Sequence, residues 1–284
     1  MTVKEIITQT AEKISQRWPF TPFLDASILL QEASGMSREK LLASYNTEID
    51  ENILEIFTEM EEKRVSGYPV AYITGRKEFF SNTYHVDRSV LIPRPDTEIL
   101  VEKVLEAAEK MIHTYGDPLK ILDLCTGSGC IAITLKKELG SRVEVEASDI
   151  SEEAEKTFNI NCKEILGYCI PFYRCSLFDG IKGKYNIIAS NPPYLEDTHV
   201  DKMIANNWPE PESALRGGAD GLDLIRKIAP AACSYMENDG KLFLEADPGQ
   251  IAEVKRLFSL NRFSSIEISK DLSGKERVIS GCLK

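Results

Sequence analysis

No stretch of this chain stays apolar for the ~20 residues that a membrane-spanning helix needs. Its start, MTVKEIITQTAEKISQRW, interrupts the apolar residues with Lys4, Glu5, Glu12, Lys13 and Arg17. It therefore lacks the continuous core of a secretory signal, and a cytoplasmic location with no membrane contact is expected. Histidine is scarce: there are three, His85, His113 and His199, and none lies at ligand spacing from another His or a Cys. The seven cysteines (Cys125, Cys130, Cys162, Cys169, Cys175, Cys233 and Cys282) include no C-x-x-C pair. Their odd number and their scatter through apolar segments suit reduced thiols better than a disulfide framework or a zinc site, so no metal is expected. Positive charge is also short. The chain has 34 Lys+Arg against 45 Asp+Glu, a net charge of −11, and no basic block. A surface that grips nucleic-acid phosphates needs the opposite balance, so no direct nucleic-acid binding is expected. Low-complexity tracts and internal repeats are missing as well.

What is present is a globular composition, 43% hydrophobic and 28% charged over 284 residues, long enough for two domains. Residues 1–75 read as a small helical bundle. Val3, Ile6, Ile7, Ala11 and Ile14 recur at helical spacing, and a second run from Leu24 to Ala33 ends at Gly35. Ser37 is placed to cap a short third helix, and Asp50 opens a fourth that Gly67 terminates. Residues 76–95 mix aromatics, β-branched residues and turn formers, as a hairpin-like connector does. Residues 96–284 start with a helix expected from Ile99 to Tyr115. Strands then alternate with helices: KILDL, VEVEAS, PFYRC, YNIIAS, KLFLEA, SSIEIS and ERVISGC. This is the pattern of an α/β, Rossmann-like, mostly parallel sheet. The last two strands have no helix between them and are expected to form an antiparallel edge pair.

Two motifs in the second domain carry chemistry. DLCTGSG (123–129) follows the first strand and opens a helix. Gly127 and Gly129 let the backbone pass close to a ligand, and the helix start presents free N–H groups. Asp149 ends the next strand, where its carboxylate could accept both hydroxyls of a ribose. A nicotinamide cofactor would use the same parts, but Ala132 stands where a G-x-G-x-x-G fingerprint has its third glycine. The second motif is Asn191-Pro192-Pro193-Tyr194, which ends the strand YNIIAS. Its prolines hold the peptide rigid and extended at the carboxyl end of the sheet. The Asn191 side-chain oxygen and the Pro192 carbonyl are acceptors there, and Tyr194 offers a flat face. Together they suit a planar –NH₂ held in line with an electrophile. Methyl transfer from S-adenosylmethionine fits this arrangement and needs no general base.

With these motifs the chain resembles the HemK family of S-adenosylmethionine-dependent class I methyltransferases, the release-factor glutamine methyltransferases that modify N5 of a protein glutamine. The resemblance rests on YPVAYITGRKEFF (68–80), LIPRPDTEILVE (91–102), ILDLCTGSGCIAI (121–133), SDIS (148–151), ASNPPYL (189–195), EPESAL with GGADGL (210–222), and DLSGKERV (271–278). It implies a cofactor loop of Cys125, Thr126, Gly127, Ser128 and Gly129, a ribose anchor at Asp149 and an adenine wall at Leu177. Asn191, Pro192, Pro193 and Tyr194 would hold the substrate glutamine, with Asn191 also beside the cofactor, and S-adenosylhomocysteine would be the product. Arg94 and Glu98 would position nearby loops. The helical domain would help recognise a release factor, whose Gly-Gly-Gln loop must enter the crevice. A monomer is expected. Three positions depart from the family pattern: Cys125 stands where the glycine loop usually begins with Gly, Ser176 where an acidic residue is frequent, and Asp247 where Gly is common. The competing expectations are a ribosomal-protein glutamine methyltransferase, disfavoured by Asp96-Thr97, and a DNA or RNA amino-methyltransferase, disfavoured by the acidic charge.

Overall fold

The computed structural model describes every residue except Asp117. The chain divides into two compact units, residues 1–76 with 205–209, and residues 77–204 with 210–284.

The first unit is helical: α1 (Val3–Ser15), α2 (Pro22–Ser34), α3 (Arg38–Ala43), α4 (Glu51–Ser66) and α5 (Val70–Thr74). Thr2 and Glu5 form a capping box on α1, while Ser37 and Asp50 cap α3 and α4. Gly35 and Gly67 close α2 and α4 in the left-handed conformation. The expected stripe on α1 is buried against Leu29, Leu30, Leu41 and Phe57, each worth about 1.5–3 kcal/mol when fully removed from water. Helix α5 was not expected; at five residues it is too short to show a period. Trp208, from the 205–209 segment, packs its ring 6.1 Å from that of Trp18.

The second unit opens with a hairpin, β1 (Arg76–Phe79) and β2 (Asn82–His85), whose turn residues Phe80 and Ser81 both have positive φ. Helix α6 (Pro95–Tyr115) begins at Pro95 rather than at Ile99, because a proline in the first turn loses no hydrogen bond and arrives with helical φ. Asp96, Thr97 and Glu98 therefore lie in the first helical turn. The remaining elements are β3 (Leu119–Leu124), α7 (Cys130–Leu139), β4 (Val143–Asp149), α8 (Glu152–Leu166), β5 (Phe172–Arg174), β6 (Tyr185–Ser190), α9 (Asp197–Ala205), α10 (Asp223–Tyr235), β7 (Met236–Glu245), α11 (Ile251–Leu260), β8 (Phe263–Lys270) and β9 (Glu276–Leu283).

Seven of these strands form one sheet in the order β5-β4-β3-β6-β7-β9-β8. The first five are parallel, and β9 inserts antiparallel between β7 and β8. Ile121, Leu122 and Leu124 of β3 and Ile187 and Ile188 of β6 are buried, as strands covered on both faces require. Register decides where the site forms. Leu124 pairs with Ser148 and with Ser190, and Ser190 pairs with Leu244. The next residue on each strand is Cys125, Asp149, Asn191 or Glu245, so these four emerge side by side at the carboxyl edge. The chain reverses its strand order at β3, which is where open α/β sheets bind ligands. Among the described residues no helix is long and apolar enough to cross a membrane, and no cluster of His, Cys, Asp or Glu could hold a metal.

Candidate active site

A cavity at that edge is lined by Cys125, Thr126, Gly127, Ser128, Asp149, Leu177, Asn191 and Pro193 among others. Gly129, Pro192 and Tyr194 are not in its wall. Gly129 sits beneath it: an added Cβ would come 2.6 Å from Phe158 and 2.7 Å from Ile133. Gly127 has φ +53 and nothing within 4 Å of an added Cβ, so the loop is left-handed there and its open side belongs to the cavity. Cys125 also has positive φ, 58°, which explains why glycine is usual at the start of such a loop.

The loop is pinned from below by Asp123, which is fully buried. Its Oδ2 accepts from Thr126 Oγ1 at 2.5 Å and from the Ala132 N–H at 3.1 Å, while Oδ1 has no partner among the described residues. Burial pushes this carboxyl up to about 7, against the pull of those two bonds. Asp149 accepts the Gly127 N–H on Oδ2 at 2.9 Å and the Ser151 N–H on Oδ1 at 3.0 Å. Burial raises it and the backbone N–H groups oppose that. Asp149 lines the cavity, and a carboxylate has lone pairs enough to accept ribose hydroxyls beside these backbone bonds. Cys125 is pushed up to about 12, chiefly by burial, which keeps its thiol protonated near neutral pH.

Asn191 donates from Nδ2 to Thr97 Oγ1 at 3.1 Å. Among the described residues nothing engages Asn191 Oδ1 or the Pro192 carbonyl. Tyr194 is mostly buried and its hydroxyl donates to Glu245 Oε1 at 3.2 Å, so its polar end points into the protein. The GGADGL loop braces the peptide from behind. Gln250 Nε2 donates to the Tyr194 carbonyl at 2.8 Å, the Gly217 N–H to the Leu195 carbonyl at 2.8 Å, and the Leu195 N–H to the Leu215 carbonyl at 2.9 Å. At Gly221, with φ +74, an added Cβ would lie 2.1 Å from the Tyr194 carbonyl oxygen.

Arg94 lines the cavity and pairs with Glu210. Glu98 lies elsewhere: its Oε1 accepts the Phe80 N–H at 2.8 Å and holds the β1–β2 turn. Three residues of the site had gone unassigned a role: Thr97, Glu210 and Glu245. Glu245 carried a signal, since it ends the strand KLFLEA one position past the residue level with Ser190, but that pairing needs the sheet order.

Residues 5–75 match a family model described as the PrmC N-terminal domain, and residues 96–211 one described as the methyltransferase small domain. A release factor glutamine methyltransferase from Haemophilus influenzae is 36% identical over 294 residues, covering 100% of both chains. The chain belongs to the release factor glutamine methyltransferase family. A bifunctional methyltransferase from Rickettsia prowazekii is 35% identical over 98% of this chain, which spans 56% of that protein's length. Among solved structures, a methyltransferase from Pyrococcus furiosus shares the fold with a TM-score of 0.52 at 15% identity, over 72% of this chain and 91% of that one. This family member is a methyltransferase with a class I sheet and a helical N-terminal unit.

Proposed function

We propose that this chain transfers a methyl group from S-adenosylmethionine to the side-chain amide nitrogen, N5, of the glutamine in the Gly-Gly-Gln loop of peptide-chain release factors. The observation that carries the proposal is the anchored Asn191: its Nδ2 is held by Thr97, which leaves Oδ1 and the Pro192 carbonyl as two acceptors for one substrate –NH₂.

The residues present fit the cofactor. Gly127 leaves space on the cavity side of the loop, and Asp149 presents a carboxylate already steadied by two backbone N–H groups. Cys125 to Gly129 would hold the amino-acid end of the ligand, Asp149 its ribose and Leu177 its adenine. When bound, the sulfonium supplies an activated methyl and a neutral leaving group. Asn191 and Pro192 then have two tasks. They fix the amide nitrogen in one orientation, and by accepting hydrogen bonds from its two N–H groups they raise its electron density as charge develops. Pro193 and the Gln250 bond to the Tyr194 carbonyl keep these acceptors from moving. The amide proton becomes acidic as the new bond forms and leaves to water, so no side chain has to act as a base. The helical unit is proposed to recognise the release factor beyond its loop.

The test is incubation with methyl-labelled cofactor and a release factor, its Gln→Ala loop variant, or DNA. Label on the release factor alone is expected. Label on the variant, or on DNA only, overturns the proposal.

A further inference from the structure

We infer that Asn161 is a positioning residue for the cofactor: one buried side-chain amide holds the Ser128 peptide of the 125–129 loop and, on its other side, the His85 backbone that leads into the cavity wall. The inference rests on the cofactor assigned above and adds what keeps the loop in the shape that receives the ligand's amino-acid end.

Asn161 lies in the interior of α8 and is fully buried. Asparagine is a poor helix former, and a buried amide costs stability unless its groups are bonded. Here they are. Oδ1 accepts the His85 N–H at 2.7 Å, while Nδ2 donates to the His85 carbonyl at 3.0 Å and to the Ser128 carbonyl at 2.8 Å. Turning the amide over would set its oxygen against two carbonyls, so only one orientation fits.

Ser128 stands between Gly127 and Gly129, both left-handed with φ +53° and +82°, and glycine backbones turn at little steric cost. Asp123 holds the loop at Thr126 and Asp149 holds it at Gly127. Asn161 holds it at the next residue. The carbonyl of a peptide unit and the N–H that follows point opposite ways. With the Ser128 carbonyl taken by Asn161 and the Gly129 N–H by the Thr126 carbonyl at 2.9 Å, this unit is fixed from both sides. Freed, it would change which backbone groups the loop offers to the ligand. Thr157, one turn earlier on the same face of α8, meets the Ser89 hydroxyl with its own at 2.9 Å. Ser89, Val90, Leu91 and Pro93 line the cavity, so α8 steadies that wall as well, but of these two residues it is Asn161 that is bonded to the loop.

The experiment compares Asn161→Leu and Thr157→Val with the unaltered full chain. Calorimetry is run with S-adenosylhomocysteine and with 5′-methylthioadenosine, which has the same nucleoside but no amino-acid end. Asn161→Leu keeps nearly the same shape, adds no charge and removes every bond of the amide. Its Kd for S-adenosylhomocysteine should rise about tenfold or more, and its Kd for 5′-methylthioadenosine should stay within about threefold. KM for the cofactor should rise in step while kcat at saturating cofactor stays within about threefold, since the Asn191 and Pro192 acceptors follow β6 and not α8. Thr157→Val cuts a bond to the wall, so the ratio of its two Kd values should match that of the unaltered chain. Equal weakening of both ligands in Asn161→Leu, an unchanged Kd for S-adenosylhomocysteine, a loss of kcat with KM unchanged, or a shifted ratio in Thr157→Val would overturn the inference. If Asn161→Leu does not fold, Asn161→Ser, too short to reach both partners, carries the same expectations. An unaltered chain that bound neither ligand would overturn the cofactor assignment and this inference with it. Binding of both by the unaltered chain, with equal weakening in the variant, overturns this inference alone.

Discussion

Arg94 and Glu210 hold two segments of the cavity wall together. The Arg94 guanidinium meets Glu210 Oε2, and Glu210 Oε1 accepts the Ile92 N–H at 3.0 Å. The glutamate side chain is 0% exposed and the arginine 39%, so nearly all of the desolvation falls on the acid. Removing the arginine takes a cationic partner from a buried carboxylate. Arg94→Ala should lower unfolding free energy by about 2–3 kcal/mol, the low end for such a loss because the Ile92 bond remains. Urea denaturation measures it.

Asn191→Ala should reduce turnover at least a hundredfold, in keeping with the loss of a dipole aimed at the reacting group. Cofactor affinity should stay within about threefold, since an uncharged amide contributes little to holding a sulfonium ligand. Calorimetry with the cofactor and a single-turnover assay read the two effects separately, and parallel losses would show that Asn191 serves the cofactor instead.

Gly221→Ala combines a left-handed backbone, costing about 1–2 kcal/mol for any L side chain, with a Cβ that would collide with the Tyr194 carbonyl. The Tyr194 peptide must shift. The expected outcome is a loss of kcat larger than the loss of stability, checked by comparing thermal melts with rates.

Much of this site was legible in the sequence because its signals are local. Strand ends, the glycine loop at 125–129 and the stiff peptide at 191–194 announce themselves through spacing and through residues with restricted backbones. The supports were not legible, because they arrive from far along the chain. Thr97 meets Asn191 across 94 residues and Glu245 meets Tyr194 across 51. Only sheet register and an α6 that starts at Pro95 bring them together. Glu98 illustrates the same limit: it shares a motif with Arg94, yet one helical turn sends it to the hairpin at Phe80 while Arg94 reaches the cavity.

Stability should depend on pH through Asp123. Its folded pKa of about 7 stands above the roughly 3.9 of an unfolded aspartate. The folded state binds the proton more tightly, so this contribution is complete below about pH 4 and is lost as pH rises through about 7. Asp123→Asn cannot ionise, and its unfolding free energy should fall less between about pH 5 and 8 than that of the unaltered chain. Urea titrations across that range give the difference, and parallel curves would show that Asp123 is already ionised in the fold throughout it.

Cysteine labelling provides a fifth check. Cys125 should resist iodoacetamide in the native protein near neutral pH because burial keeps it a thiol, while exposed Cys169 should react first. Cys125→Gly relieves the left-handed strain but loosens the unfolded chain by a similar amount. Its stability should therefore change by less than about 1 kcal/mol.

Trp208 belongs with the helical unit although α9 before it and the Glu210 loop after it belong to the other. That unit is thus stitched from two separate lengths of chain, and scission near residue 76 would part them. A truncated protein beginning there would keep the indole of Trp208 but lose its neighbour Trp18, and a sticky aromatic would be left on a polypeptide whose partner fragment had gone.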